Sequence, residues 1–220
     1  MRKRLICDAS SLISMSMTCM LPIVVELSEI ADFIITKTVY DEIITNPQRS
    51  KNHRMGPLKF KALFDQGILQ IAQADSEEVD HILNISNSIY YSKHKQLKII
   101  QRGEAEALAL ANDGDTLLMD ERTLRFMIEN PNDLLGLLEH RMRRPISMDK
   151  KRRAEFDKYC KGVSIIRSSE LLAVAYEKGI LQKYFSGEKR ELLEACLWAL
   201  KSKGCSLSVK DVKEYLRMLG

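Results

Sequence analysis

The chain has only five cysteines, at positions 7, 19, 160, 196 and 205, and none of them forms a C-x-x-C pair. An odd number without Cys/His clustering argues against a disulfide framework and a structural zinc site. It fits a reducing, cytoplasmic setting. Long apolar runs are missing as well. No stretch reaches the ~18 consecutive apolar residues that a membrane-spanning helix needs, so no membrane association is expected. The basic start Met1-Arg2-Lys3-Arg4 runs into Asp8 and serines rather than a clean apolar core, which does not fit a signal peptide. The four histidines are scattered and form neither a triad nor a ligand pair. Ser10 and Ser11 lack a G-x-S-x-G context, which argues against a serine hydrolase. There is no internal repeat and no low-complexity stretch.

What is present is an ordinary globular composition. Its 45% hydrophobic and 29% charged residues exclude collagen, coiled coil and wholesale disorder. A chain of 220 residues can build a full core without staples and corresponds to between one and two domains. The net charge of +4 is unevenly spread. Arg141 to Lys161 holds nine Lys/Arg against three Asp/Glu, so the rest of the chain is mildly acidic.

Short apolar runs at residues 3–8, 33–36, 68–72, 116–120 and 162–167 read as strands. Helical spacing follows the first three runs from Ser10, over TVYDEIIT and over SEEVDHILNISNSIYY, precedes the fourth over residues 102–113, and follows the fifth over SSELLAVAYEKG. Another helix spans 58–66, and the polar stretch QRSKNHRMGP after Pro47 reads as a loop. Apolar strands alternating with helices imply an α/β fold with a central parallel sheet covered on both faces. Residues 127–161, with Pro131 and Pro145 and the basic run, read as an insertion. Two further helices close the chain near 187–203 and 208–219, with Ser208 and Asp211 as a capping box. Their apolar stripes predict packing onto the domain as satellites, or a homodimer interface. Met15, Met17 and Met20 read as core or interface packing.

Ligands collect outside the carboxyl ends of parallel strands. Two strands end there on aspartate, Asp8 and Asp120, while Glu104 and Glu42 sit early in helices that start at the same rim. Four carboxylates at one edge repel unless a cation neutralises them, and hard divalent cations favour such oxygen ligands. Glu106 lies ~200° around the helix from Glu104 and is expected to be solvated. Asp41 and Glu42 are neighbours, so one of them points away.

The segments LICDASSLI (5–13), ITKTVYDEI (35–43), GEAEALALA (103–111) and LLMDERTLR (117–125) resemble, in that order, the PIN-domain nucleases. The resemblance covers roughly residues 1–127 and 162–182. It departs from the family in the basic insertion and in lacking a proline before the second helix. It implies a three-layer α/β/α fold and an endoribonuclease using Mg²⁺ or Mn²⁺. Asp8, Glu42, Glu104 and Asp120 would be the metal-holding and catalytic acids, Ser10 would steady Asp8 or the ion's water, and Glu121 would be an auxiliary acid. Its members include RNA-processing and decay nucleases and the toxins of toxin–antitoxin pairs. RNA is then the expected partner, with an antitoxin or other protein and a second copy of the chain left open. A non-catalytic RNA- or protein-binding module on the same fold is the alternative. The expected division is a nuclease domain over 1–182 and a helical extension over 183–220. Arg143, Arg144, Lys150, Lys151, Arg152 and Arg153 are the expected phosphate contacts, and Tyr90, Tyr91, Lys93, His94, Lys95 and Lys98 interleave aromatics with cations in a way compatible with base stacking.

Overall fold

The first apolar run, Lys3–Cys7 (β1), buries its last three residues and ends at Asp8, which caps the helix Ala9–Met17 (α1). The structure is a computed structural model that describes residues 2–49, 55–112 and 114–220. Pro22 in the first turn suits the start of Leu21–Leu27 (α2), which leads to Ala31–Ile35 (β2). Thr36 caps Lys37–Tyr40 (α3), which widens into a π-helical turn at Asp41–Thr45 and closes as Asn46–Gln48 (α4). Met55–Asp65 (α5) and Leu69–Ile71 (β3) follow. The core of the expected QRSKNHRMGP loop, at 50–54, and Asp113 at the end of the Ala-rich segment lie outside the described residues.

Ser76–Ser86 (α6) is shorter than the expected SEEVDHILNISNSIYY helix. The Asn87 side chain stops it by accepting from the amides of Ile99 (2.6 Å) and Ile100 (2.9 Å) and donating to the Ile100 carbonyl (3.0 Å). Tyr90–Ser92 (β4) and Lys95–Gln96 (β5) then form a hairpin in place of the helix end. Arg102–Leu110 (α7) precedes Thr116–Leu118 (β6). Arg122–Glu129 (α8) leads into the region expected as an insertion, which folds as Pro131–Met142 (α9), Ser147–Met148 (β7) and Lys150–Phe156 (α10), and the chain returns at Ser164–Ile166 (β8). Ser168–Glu177 (α11), Leu181–Tyr184 (α12), Lys189–Ser202 (α13) and Val209–Leu219 (α14) complete the chain.

The central sheet is five-stranded and all-parallel, in the order β3-β2-β1-β6-β8. Alternate strand residues feed two cores, as the period of two dictates. Leu5, Cys7, Phe33 and Ile35 face one helical layer, and Ile6, Ile34, Leu117 and Met119 face the other. The result is the expected three-layer α/β/α architecture. A second, three-stranded antiparallel sheet, β5-β4-β7, sits beside it and joins the hairpin to the inserted region.

The C-terminal helices are not satellites. Leu193, Leu197, Leu200, Val212 and Leu216 share one core with Leu12, Met15 and Leu172, and the Ser14 hydroxyl donates to the Lys203 carbonyl at 2.9 Å. Their apolar stripes complete the layer that α1, α2 and α11 leave open. The expected capping box at Ser208 and Asp211 is present, with both bonds at 3.0 Å. Among the described residues, no single helix is long and apolar enough to cross a membrane.

Candidate active site

The strand register assembles the site. Cys7, Leu118 and Ile166 are aligned across β1, β6 and β8. Asp8, Asp120 and Ser168, one or two residues further on, therefore emerge together at the carboxyl edge of the sheet. Helices from both layers start at this edge, so Glu42 from one layer meets Glu104 from the other.

Asp8 is the N-cap of α1. Its Oδ2 accepts from the Ser10 amide at 3.1 Å and from the Ser10 hydroxyl, which fixes the carboxylate by two bonds to the residue two positions on. The π-helical turn carries Glu42; such local widenings change which way successive side chains point. It also separates the two neighbouring acids. Asp41 is occupied by Lys37 Nζ and Thr45 Oγ1, both at 2.7 Å, and Glu42 makes neither contact. Gly103, at the start of α7, lies beside Thr38 and Glu42. A Cβ there would lie 3.4 Å from Thr38 Cγ2 and 4.0 Å from Glu42 Oε1. Glu104 accepts from the Gln101 amide at 2.7 Å, closing a capping box at the start of α7.

These carboxylates feel one another. Burial raises the Asp8 pKa, against the Ser10 bonds, and the Asp120 charge raises it further. Burial raises Glu42, with Asp8 and Glu106 adding to it. Glu104 is pushed up to about 8 by burial, reinforced by the charges of Glu121, Asp8 and Glu42. Acids that share an edge, each raised first by burial and then by a neighbouring carboxylate, form a cation-attracting set.

Asp120 sits differently. It is only 1% exposed, and Ser168 holds it through the backbone amide (2.8 Å) and the hydroxyl (2.9 and 2.8 Å). Cys205, from the C-terminal segment, packs beside this pair. Burial and the Asp120 charge push its thiol up to about 12. Glu121 caps α8 by accepting from the amides of Thr123 and Leu124.

Glu106 departs from the expected solvated state. Its side chain is 14% exposed, accepts from the Thr38 hydroxyl at 2.8 Å and amide at 3.3 Å, and pairs with Arg102 at 3.3 Å. The ~200° offset from Glu104 turns it toward α3 rather than toward water. Sequence reasoning missed Thr38, Gly103 and Ser168. Ser168 was legible only as a helix start. Among the described residues, no three Asp, Glu, His or Cys side chains stand close enough to ligate one ion. The donors are nonetheless all carboxylate oxygens, the chemistry that suits a hard divalent cation.

Residues 4–131, more than half of the chain, match the model of a family described as a PIN domain. The chain belongs to the PIN-domain family. No curated protein and no solved structure matches it. PIN domains are typically nucleases and generally use divalent metals, so membership points to a nuclease-type function in general. The matched stretch includes Asp8, Ser10, Glu42, Glu104, Asp120 and Glu121.

The PIN match ends at residue 131, before the basic residues. Arg143, Arg144, Lys150 and Lys151 are exposed and make no ion pair among the described residues. Arg152 pairs with Glu155 at 3.3 Å. Arg153 is turned inward, against the expectation of a phosphate contact. Its side chain is 12% exposed, pairs with Asp157 at 2.5 Å, donates to the Met127 carbonyl and lies over the Phe156 ring. Phe156 is a core residue, and the long arginine stem follows it inside. Tyr90 is fully buried in β4 and is not available for base stacking.

Proposed function

We propose that this PIN domain is a divalent-cation-dependent endoribonuclease that hydrolyses RNA phosphodiester bonds. The observation that carries the reading is the gathering of Asp8, Glu42 and Glu104 at the carboxyl edge of a parallel sheet, where burial raises all three and the Asp8 charge bears on both glutamates. Asp8, Glu42 and Glu104 would hold Mg²⁺ or Mn²⁺ through one or two direct carboxylates, the remaining acid acting through the ion's retained waters, with Asp120 adding its charge from a buried seat beside Asp8 and Glu121 acting as an auxiliary acid. Such an ion supplies an activated water and charge stabilisation at phosphorus when bound. The chain's own residues orient and tune. Ser10 locks the Asp8 carboxylate, the capping bond from Gln101 orients Glu104, and Ser168 fixes Asp120. The exposed cations Lys150 and Lys151 at the start of α10 add phosphate contacts.

The test is cleavage of a labelled single-stranded RNA by the full chain with Mg²⁺ or Mn²⁺, compared with EDTA. Cleavage that requires the metal and vanishes in Asp8→Asn supports the reading; metal-independent or absent cleavage overturns it. The spacing of the acids, wider than a single-ion set, favours a second reading, an RNA- or protein-binding module on the same fold. RNA binding without cleavage under any divalent metal would select it. Co-purification with an inhibitory protein encoded beside the gene would assign a toxin role rather than RNA processing or decay.

A further inference from the structure

Lys93 and His94 form the two-residue loop of the β4–β5 hairpin, since Ser92 pairs with Lys95. Both are left-handed, with φ of 48° and 65°. A two-residue loop of this kind favours Asn-Gly, because any side chain is strained in that region. The other two left-handed positions outside glycine among the described residues are Cys19 and Arg143, the latter at 52°. Three of these four strained residues are therefore Lys93, His94 and Arg143.

These three are brought together by tertiary structure. β4 pairs antiparallel with β7, Tyr90 with Met148 and Tyr91 with Ser147. In an antiparallel pair the end of one strand lies beside the start of the other. The hairpin loop that follows β4 thus lies at the same end of the small sheet as Arg143-Arg144-Pro145, which leads into β7. Lys93, Lys95, Arg143 and Arg144 are all exposed, and none has an acidic partner among the described residues. Glu139, in the helix that precedes Arg143, is engaged by the Ile146 amide at 3.1 Å. Tyr90 fills the core, so the strand alternation turns Tyr91 to the opposite, partly exposed side.

We propose that this end of the small sheet is a grip for the phosphate backbone of single-stranded RNA, built jointly by the 93–95 hairpin and residues 143–144. The proposal rests on the RNA reading above. Four unpaired cations from two distant segments converge on one sheet end, where strained backbone is retained at the residues that carry charge. Strain of this kind persists where the surrounding structure over-determines it, commonly at functional positions. A protein partner held by apolar burial has little to bind here, because the tip is polar or charged apart from Pro145. Tyr91 offers one face for a base beside the phosphates.

The experiment measures binding of a labelled single-stranded oligoribonucleotide to the full chain in EDTA, across a salt series. In the variant Lys93→Gln/Lys95→Gln/Arg143→Gln/Arg144→Gln, affinity should fall roughly tenfold or more at 0.1 M salt. The slope of log affinity against log salt should become shallower by up to about 3. The second variant, Lys93→Asn/His94→Gly, installs the unstrained loop. Its melting temperature should rise while its salt slope becomes shallower by about 0.7. A stabilised loop variant that binds as the parent does, or a quadruple variant with parental affinity, would overturn the grip. Parental RNA affinity with loss of a co-purified acidic protein would also overturn it, in favour of a protein surface. Binding in EDTA separates this result from catalysis. A parent that binds RNA and never cleaves it refutes the nuclease reading and leaves the grip standing, whereas a parent that does not bind RNA refutes the grip.

Discussion

Ser168 donates both its backbone amide and its hydroxyl to the Asp120 carboxylate, at 2.8 to 2.9 Å, across 48 residues of sequence. The pairing follows from register: Leu118 and Ile166 are aligned in neighbouring parallel strands, and each residue lies two positions beyond its strand partner. An acid that sequence places at a strand end is thereby withdrawn from solvent and anchored to the first residue of the next helix.

Ser168→Ala should leave the buried Asp120 with one donor fewer. Losing a hydrogen bond to a buried charged group costs about 1–3 kcal/mol, which chemical denaturation will read. If Asp120 contributes its charge to the site, RNA cleavage should drop together with stability, and Ser168→Thr should restore both. Unchanged cleavage in Ser168→Ala would remove Asp120 from the machinery.

Asp8→Asn and Glu104→Gln should abolish metal-dependent cleavage and keep the fold, with a higher melting temperature in EDTA as repulsion falls. Retained cleavage in both would reject the site. Without metal, stability should also depend on pH through Glu104. Its folded pKa of about 8 is above its unfolded value, so between about 4.5 and 8 the native state binds more protons than the unfolded one. Stability then falls as pH rises through that window. Glu104→Gln should flatten the slope, and added Mg²⁺ should recover the parent's stability at the high end.

The C-terminal segment is clasped to α11 by Arg167, which reaches Glu170 (2.5 Å), Asp211 (3.4 Å) and the Ser206 carbonyl (3.2 Å), while the Tyr215 hydroxyl joins Glu170 at 2.5 Å. Burial works against the Glu170 charge, but the Arg167 and Tyr215 bonds outweigh it and hold its pKa low. A depressed acid contributes stability above its unfolded pKa and loses it as pH falls through the folded one. Arg167→Met should destabilise by about 1 kcal/mol at neutral pH, because Glu170 loses its ion pair but is about a third exposed and keeps the Tyr215 bond. The deficit should shrink at low pH; a pH-independent deficit would mean only packing was lost.

Arg153→Ala and Lys150→Gln/Lys151→Gln should behave oppositely. The first removes an inward-facing clamp between α10 and the Met127 carbonyl and should lower the melting temperature. The second should leave the melting temperature alone and make the RNA salt slope shallower by about 1.4, at about 0.7 per cation. A shallower slope in Arg153→Ala alone would show that this arginine swings out to the substrate.

The α/β class and the strands that carry Asp8 and Asp120 were legible in the sequence, because apolar runs covered on both faces have few other folds. The acids were legible as a set from their places at strand ends and helix starts. The partner of each was not. Asp41 and Glu42 are adjacent in the chain, and a π-helical turn with two hydrogen bonds to Asp41 separates their surroundings. Glu106 looked solvated by helical angle, yet that angle points it at Thr38 on a helix from the opposite layer. The Tyr90–Ser92 strand read as helix because its neighbours have helical spacing, and its real partner, β7, lies 56 residues away.

The sequence by itself determined the five strands of the parallel sheet and the acids at its carboxyl edge, since strand and helix periodicities and caps are local properties. Tertiary structure alone decided that Asp120 is anchored by Ser168 and that Arg153 faces inward. It also placed Lys93 and Arg143 at one sheet end and put the C-terminal helices inside the core. Each of these depends on pairings between segments distant in sequence, where register and burial, not local preference, choose the neighbour.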